Sequence, residues 1–197
     1  LSKDINLIKK IYSSMGYNNS TVETKIKVID KNNLDLFIEV NRGNQTKISS
    51  INFIGDKKLR DRRLRDVIAS EEDNFWKVIS RNTKFTEELI NLDMRLLTNY
   101  YKSLGYYDVE STSNTAEINK EGNIDLIYSI DAGNRYRINK IFTNADPVFD
   151  TEIFYSLKKS YSKNIGKFYS PFIVKDLLEE IDELILNNNL QFVQHNV

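Results

Sequence analysis

The sequence predicts an α+β fold: a tandem array of small β-α-α-β-β units, each a three-stranded mixed sheet covered on one face by two antiparallel helices. Three observations carry this. The phrase from Leu34 to Ile51 returns as Ile124 to Ile141, with Leu34 matching Ile124, Asp35 Asp125, Leu36 Leu126, Gly43 Gly133, Asn44 Asn134 and Ile48 Ile138. The offset of about 90 positions is too long for a helical-solenoid repeat and suits a small domain. Each copy reads as an apolar strand, a Gly-Asn joint and a new strand. Between the copies run two helical periodicities and a further strand pattern.

The first stretch is a partial unit, residues 1–44. Ile5, Ile8, Ile11 and Met15 fall at helical spacing, and Gly16 is a natural stop. Val22, Thr24, Ile26 and Val28 alternate with Glu23, Lys25 and Lys27, the mark of a half-buried strand. A turn at 31–33 leads to Leu34 to Val40, more apolar and so more central.

Residues 45–134 hold a complete unit. Ile48 to Ile54 is its first strand. A helix is expected from about Asp61 to Ser70, with Leu64, Val67 and Ile68 on one face. Thr86 caps the next helix, with Glu87 and Glu88 in its first turn, where the dipole favours acids. Its apolar face is Leu89, Leu92, Leu96, Leu97, Tyr100, Tyr101 and Leu104, and Gly105 ends it. Strands at 107–118 and 123–131 flank a turn at Lys120 to Gly122.

Residues 135–197 start again with a strand at Ile138. Asp150 is expected to cap a helix containing Ile153, Phe154 and Leu157, and Ser170-Pro171 to start another, with Ile173, Leu177, Ile181, Leu184 and Ile185 inward. Phe192 and Val193 begin a strand, leaving this unit without its last one. Short connections then set the topology. The last strand of a unit is central, the first lies parallel to it on one side, and the middle strand is an exposed edge.

Composition narrows the function classes. Of 197 residues, 40% are hydrophobic and 28% charged, as in ordinary globular proteins. A unit of this size buries only roughly 60–65% of its unfolded surface and gains from neighbours. Net charge is zero, which gives no electrostatic pull toward nucleic acid or anionic lipid. Without cysteine there is no disulfide framework, thiolate metal site or Cys nucleophile. No apolar run approaches a membrane span and no signal peptide opens the chain, so Leu1 reads as a cut inside a longer protein.

The motif Tyr100-Tyr-Lys-Ser-Leu-Gly-Tyr-Tyr-Asp-Val109 resembles a signature of POTRA domains, and Ile11-Tyr-Ser-Ser-Met-Gly-Tyr17 repeats it. Ile51-Asn-Phe-Ile-Gly-Asp-Lys-Lys-Leu59 is similar to their first-strand pattern, and Asp131-Ala-Gly-Asn-Arg-Tyr136 to the joint between them in outer-membrane β-barrel assembly factors. The resemblance covers the whole chain, best over 48–140; the departure is Asn189-Leu190, which stands in the Gly-Tyr place of the third unit. It implies the second to fourth of five POTRA domains, the periplasmic part of an outer-membrane protein. It also implies a C-terminal membrane β-barrel of the same protein, accessory lipoproteins of the assembly complex and unfolded outer-membrane proteins as partners, no nucleic acid, no cofactor, no metal and no catalysis.

An exposed strand edge can accept an extended peptide as a further strand. The expected partner edge is Val109, Glu110, Ser111, Thr112, Ser113, Asn114 and Thr115, polar and weakly patterned. Gly16 to Gly43 is 27 positions and Gly105 to Gly133 is 28, so the second unit carries one extra residue. A β-bulge in the edge strand and a longer turn at Gly122 both account for it. Gly43, Asn44, Gly133 and Asn134 are the expected joint residues, the glycines supplying backbone freedom.

Other constellations read as structural. His195 is the only histidine, which supports neither a triad nor a zinc site. The glycines are scattered and form no phosphate loop. Tyr100 and Tyr101 belong to the helical core face rather than a base-stacking platform. Trp76 reads as a lid over the helix pair, with a partner anchor as the alternative. Arg60, Arg62, Arg63 and Arg65 are interrupted by Asp61 and Asp66, as on a solvated helix face. A tandem RNA-binding KH-like array lacks its GxxG loop and basic surplus here. A POTRA array of a related transporter or a division protein is the rival within the family.

Overall fold

Strand β5, Ile124–Asp131, shows the clearest alternation in the chain. Ile124, Leu126, Tyr128 and Ile130 are buried, and the residues between them half-buried. That is the pattern of a central strand with one face on a core. The computed structural model describes residues 1–74, 82–119, 121–145, 151–188 and 190, with 114–117 and 151 by backbone alone. Trp76, Asp150, Asn189, Phe192, Val193 and His195 lie outside the described residues. The chain forms two compact units, one of residues 1–97 with 111–131, the other of 98–110 with 132–197.

In the first unit, β3 (Ile48–Asp56), β5 and β4 (Glu110–Ile118) form a mixed sheet in the order β3-β5-β4. β5 is central, β4 is an edge, and β3 runs parallel to β5 with Ile51 opposite Leu126 and Phe53 opposite Tyr128. The register slips between Ile48 and Ser50. This irregularity lets Ile48 and Ile51, three positions apart, both face the core, which strict alternation forbids. The Phe53 and Tyr128 rings stack at 5.7 Å.

Helix α3, Glu87–Ser103, starts as expected: the Leu89 N–H donates to Thr86 Oγ1 at 3.2 Å. Its buried positions are Ile90, Asp93, Leu97 and Tyr101, a stripe turned slightly from the one the apolar pattern predicts. Helix α2 is Asp61–Arg65, shorter than the expected 61–70. The reason lies far along the chain. The Ala69 and Ser70 N–H groups donate to Asp93 Oδ1 at 2.7 and 3.1 Å, which draws them away from helical bonding.

The opening part of this unit is helix α1 (Ser2–Ser14) and the antiparallel hairpin β1 (Thr21–Val28) with β2 (Leu34–Asn41). β2 corresponds to β5, but here the sheet has only two strands. Leu34, Leu36 and Ile38 are therefore 44–59% exposed where their counterparts on β5 are 0–6% exposed.

The second unit contains the end of α3, a 3-10 segment (Thr151–Ser156), helix α4 (Leu157–Asn164) and helix α5 (Pro171–Asn187). The single helix expected around Ile153 is thus a 3-10 turn followed by α4. α5 begins as expected, with Ser170 Oγ accepting from the Phe172 N–H at 3.3 Å and Pro171 at the first position. Leu177 is buried, and Ile173, Ile181, Leu184 and Ile185 half-buried. The strand expected from Ile138 does not form. Only an isolated bridge joins Arg137 to Phe168. A strand needs a ladder partner along its length; Ile138 bonds Lys167 and Gly166, but no ladder continues over 139–145 among the described residues.

Candidate interaction edge and repeat joints

The predicted partner edge falls where the topology argument places it, on β4. Val109 precedes the strand and is buried; Glu110 and Thr112 are exposed, and Ser111 and Ser113 half-buried. Ser111 Oγ donates to Met94 O at 3.3 Å, so this side of β4 faces α3. Asn114 and Thr115 continue the strand. The two hairpins share one turn: the Ile29 N–H donates to Asn33 O at 3.0 Å and the Asn119 N–H to Asn123 O at 2.8 Å. β2 and β5 each have eight residues, whereas β1 has eight and β4 nine. The extra residue of the second repeat therefore lies in the edge strand, not in the turn.

The opposite edge of the sheet is closed by its own chain. On β3, the Ile48 N–H donates to Thr83 O and Ile48 O accepts from the Asp73 N–H, both at 2.8 Å. The Ile51 N–H donates to Glu72 Oε1 at 2.9 Å, and Ile51 O accepts from the Arg65 guanidinium, which also pairs with Glu72. Phe53 O accepts from Lys57 Nζ at 2.8 Å, and Lys57 is held by Asp61. Arg65 is thus more than part of a solvated face. These bonds occupy the groups another strand would need, one way proteins manage an edge.

The joints are built from three pieces of chain, not one. Gly43 and Gly133 do adopt left-handed conformations, φ +63° and +60°, and Asn44 and Asn134 beside them are exposed. The same frame also uses the glycine that ends each preceding helix. The Thr46 N–H donates to Gly16 O and the Tyr136 N–H to Gly105 O, each at 2.8 Å. The third piece precedes the next helix: Phe85 N–H to Thr46 O (2.9 Å) and Ile48 N–H to Thr83 O (2.8 Å) recur as Tyr169 N–H to Tyr136 O (3.0 Å) and Ile138 N–H to Lys167 O (2.9 Å). Lys47 bridges Lys84 as Arg137 bridges Phe168.

In the sequence, Gly16 and Gly105 read as helix stops within the repeated Gly-Tyr motif, not as parts of the joints. The signal that reveals more is their recurrence, with Tyr17 and Tyr106 following, at nearly the offset of the joints. In the later joint, the Tyr136 hydroxyl bonds the Asp108 carboxylate, whose hydrogen bond and charge push the phenol above its ordinary pKa. Asn18, which replaces the second tyrosine of the motif, ties the earlier joint together by donating from Nδ2 to Phe85 O at 2.9 Å.

A three-stranded mixed sheet with α3 against it, and a backbone frame that recurs around Gly16 and Gly105, define a small α+β domain. Residues 46–133 match the POTRA family model, described as a surface antigen variable number repeat. The chain is similar to the outer membrane protein assembly factor BamA of Neisseria meningitidis serogroup B, 26% identical over 179 residues, 88% of this chain and 22% of that protein. BamA of Neorickettsia risticii is 26% identical over 137 residues, 70% of this chain and 18% of that protein. The chain thus spans about a fifth of the length of these relatives. The fold is also that of the Haemophilus influenzae BamA POTRA3–5 crystal structure, with a TM-score of 0.56 and 19% identity, covering 92% of this chain and 68% of that one. No helix among the described residues is long and apolar enough to cross a membrane.

Proposed function

We propose that this chain is part of the periplasmic POTRA array of an outer-membrane protein assembly factor. In this reading, residues 1–44 are the C-terminal part of one POTRA domain, 45–134 a whole one and 135–197 most of a third. Unfolded β-barrel clients and accessory lipoproteins bind by adding a strand along β4, over 109–115, and a C-terminal membrane β-barrel belongs to the same protein. No catalytic step is involved.

The observation that carries the reading is the asymmetry of the sheet edges. Bonds at Ile48, Ile51 and Phe53 occupy the outer side of β3, which leaves β4 as the remaining edge of that sheet. Pairing through backbone groups reads side chains weakly, which suits many clients. Photocrosslinking in cells from single positions across 109–115 tests it. Adducts with client proteins or lipoproteins are expected from the exposed positions Glu110 and Thr112. Only diffuse background from every position would overturn the role of this edge.

A further inference from the structure

The two joints share a backbone frame and differ in what fills it. Around Gly105, the Arg135 and Arg137 guanidinium carbons lie 3.3 and 3.8 Å from the Phe168 ring centroid, and Arg135 Nε donates to Leu104 O at 2.6 Å. The equivalent residues around Gly16 are Gln45, Lys47 and Lys84. Gln45 Nε2 repeats the side-chain bond, to Met15 O at 3.1 Å. No ring occupies the place of Phe168, because Lys84 stands there. A cleft of about 680 Å³ opens at this joint, lined by Met15, Tyr17, Gln45, Lys84, Leu89 and Leu92 among others.

The lining states what fits. Leu89 and Leu92 are half-buried and Met15 is 53% exposed, which makes an accessible apolar floor. Lys84 adds a cation and the Met15 thioether a polarizable contact, each of which favours an aromatic face over an aliphatic chain, and Tyr17 adds a further aromatic side chain to the lining. The later joint supplies its own example, a phenyl ring against cationic side chains in the same frame.

We propose that this cleft binds an aromatic side chain of an extended polypeptide. That the polypeptide is an outer-membrane client rests on the function proposed above; the chemistry of the cleft does not. The test is methyl NMR of the 197-residue chain, titrated with N-acetyl-phenylalanine methylamide and, separately, N-acetyl-leucine methylamide. The phenylalanine compound is expected to give saturable ring-current shifts at the Met15, Leu89 and Leu92 methyls and to bind at least about fivefold tighter than the leucine compound. The double variant Gln45→Arg, Lys84→Phe copies the later joint, fills the cleft with the chain's own side chains and is expected to weaken binding about tenfold or more. Met15→Ala, at an exposed position, should weaken it roughly threefold with the fold intact.

Equal affinities for the two compounds, absence of shifts at these methyls, or full binding by the double variant would overturn the proposal. Failure of crosslinking from β4 leaves these outcomes unchanged, so the two readings fail separately.

Discussion

The Tyr128 hydroxyl on β5 donates to the Asp93 carboxylate on α3, and both residues are 0% exposed. The same carboxylate accepts the Ala69 and Ser70 N–H groups. One buried side chain therefore ties the sheet, the long helix and the segment after α2. Asp93→Ala leaves three donors without their acceptor, and a loss of about 3–5 kcal/mol is expected. Tyr128→Phe removes one bond and should cost about 1–2 kcal/mol. Urea unfolding of the two variants and the double variant measures both values and their coupling. An Asp93→Ala protein as stable as the parent would show that the carboxylate holds nothing together.

The same pair gives a pH dependence. Burial first, then the hydrogen bond and charge of Asp93, push the Tyr128 phenol well above its ordinary value. A folded-state pKa raised above the unfolded one gives stability fully present below the unfolded value, about 10 for tyrosine. The unfolded chain ionises at this site first as pH rises, so stability falls from there up to the folded-state value, by up to about 1.4 kcal/mol per pH unit. Unfolding free energies between pH 9 and 11 should fall more steeply in the parent than in Tyr128→Phe. Parallel curves would contradict the linkage.

Why Asp93 escapes sequence reading is physical. A carboxylate within an apolar helical stripe reads as a surface residue, since burial of an unpaired charge is costly. Its partners at 69, 70 and 128 are distant in sequence and have no local pattern. The length of α2 fails for the same reason, because Asp93 captures the amides that would extend it. Features with a local cause are legible: the Thr86 and Ser170 caps, the presence of β1 and β5 as strands, and the β3-β5-β4 order that follows from short connections, whereas Ile26 and Val28 of β1, expected on a half-buried face, are 60% and 71% exposed. The strand at Ile138 shows the converse. Its sequence resembles Ile48 to Ile54, but a strand is completed by its neighbour, and the pattern alone does not supply one. The joints were half legible: Gly43 and Gly133 appear in the repeated phrase, whereas the pieces at 16 and 83–85, or 105 and 167–169, meet them only through the fold.

The closed edge of β3 can be opened. Glu72 accepts the Ile51 N–H and pairs with Arg65, whose guanidinium bonds Ile51 O. Glu72→Ala should raise the hydrogen-exchange rate of the Ile51 amide about tenfold, with global stability lowered by no more than about 1 kcal/mol. The exposed groups then offer a second pairing site, and self-association should appear at high concentration in sedimentation. An unchanged Ile51 exchange rate would mean that the capping bond does not protect the edge.

Gly105 and Gly133 make different demands on the same joint, and substitution separates them. Both have positive φ, +101° and +60°, so any side chain meets backbone strain. A Cβ at Gly133 finds its nearest atom, Asp108 Cβ, at 3.6 Å, ordinary contact. A Cβ at Gly105 lies 3.2 Å from Arg135 Cγ and from Tyr136 O, and 3.3 Å from Phe168 Cβ. Those atoms belong to the frame itself, since Gly105 O receives the Tyr136 N–H. Gly133→Ala should therefore cost only the conformational term, about 1 kcal/mol, and preserve the joint. Gly105→Ala adds crowding against backbone and should cost about 2–3 kcal/mol in all. Its diagnostic is local: exchange of the Tyr136 and Tyr169 amides should accelerate together in Gly105→Ala and stay slow in Gly133→Ala. Gly133→Val, bulkier and β-branched, should sit between them in stability. If both alanine variants behave alike, the glycine at the helix end has no part in holding the joint.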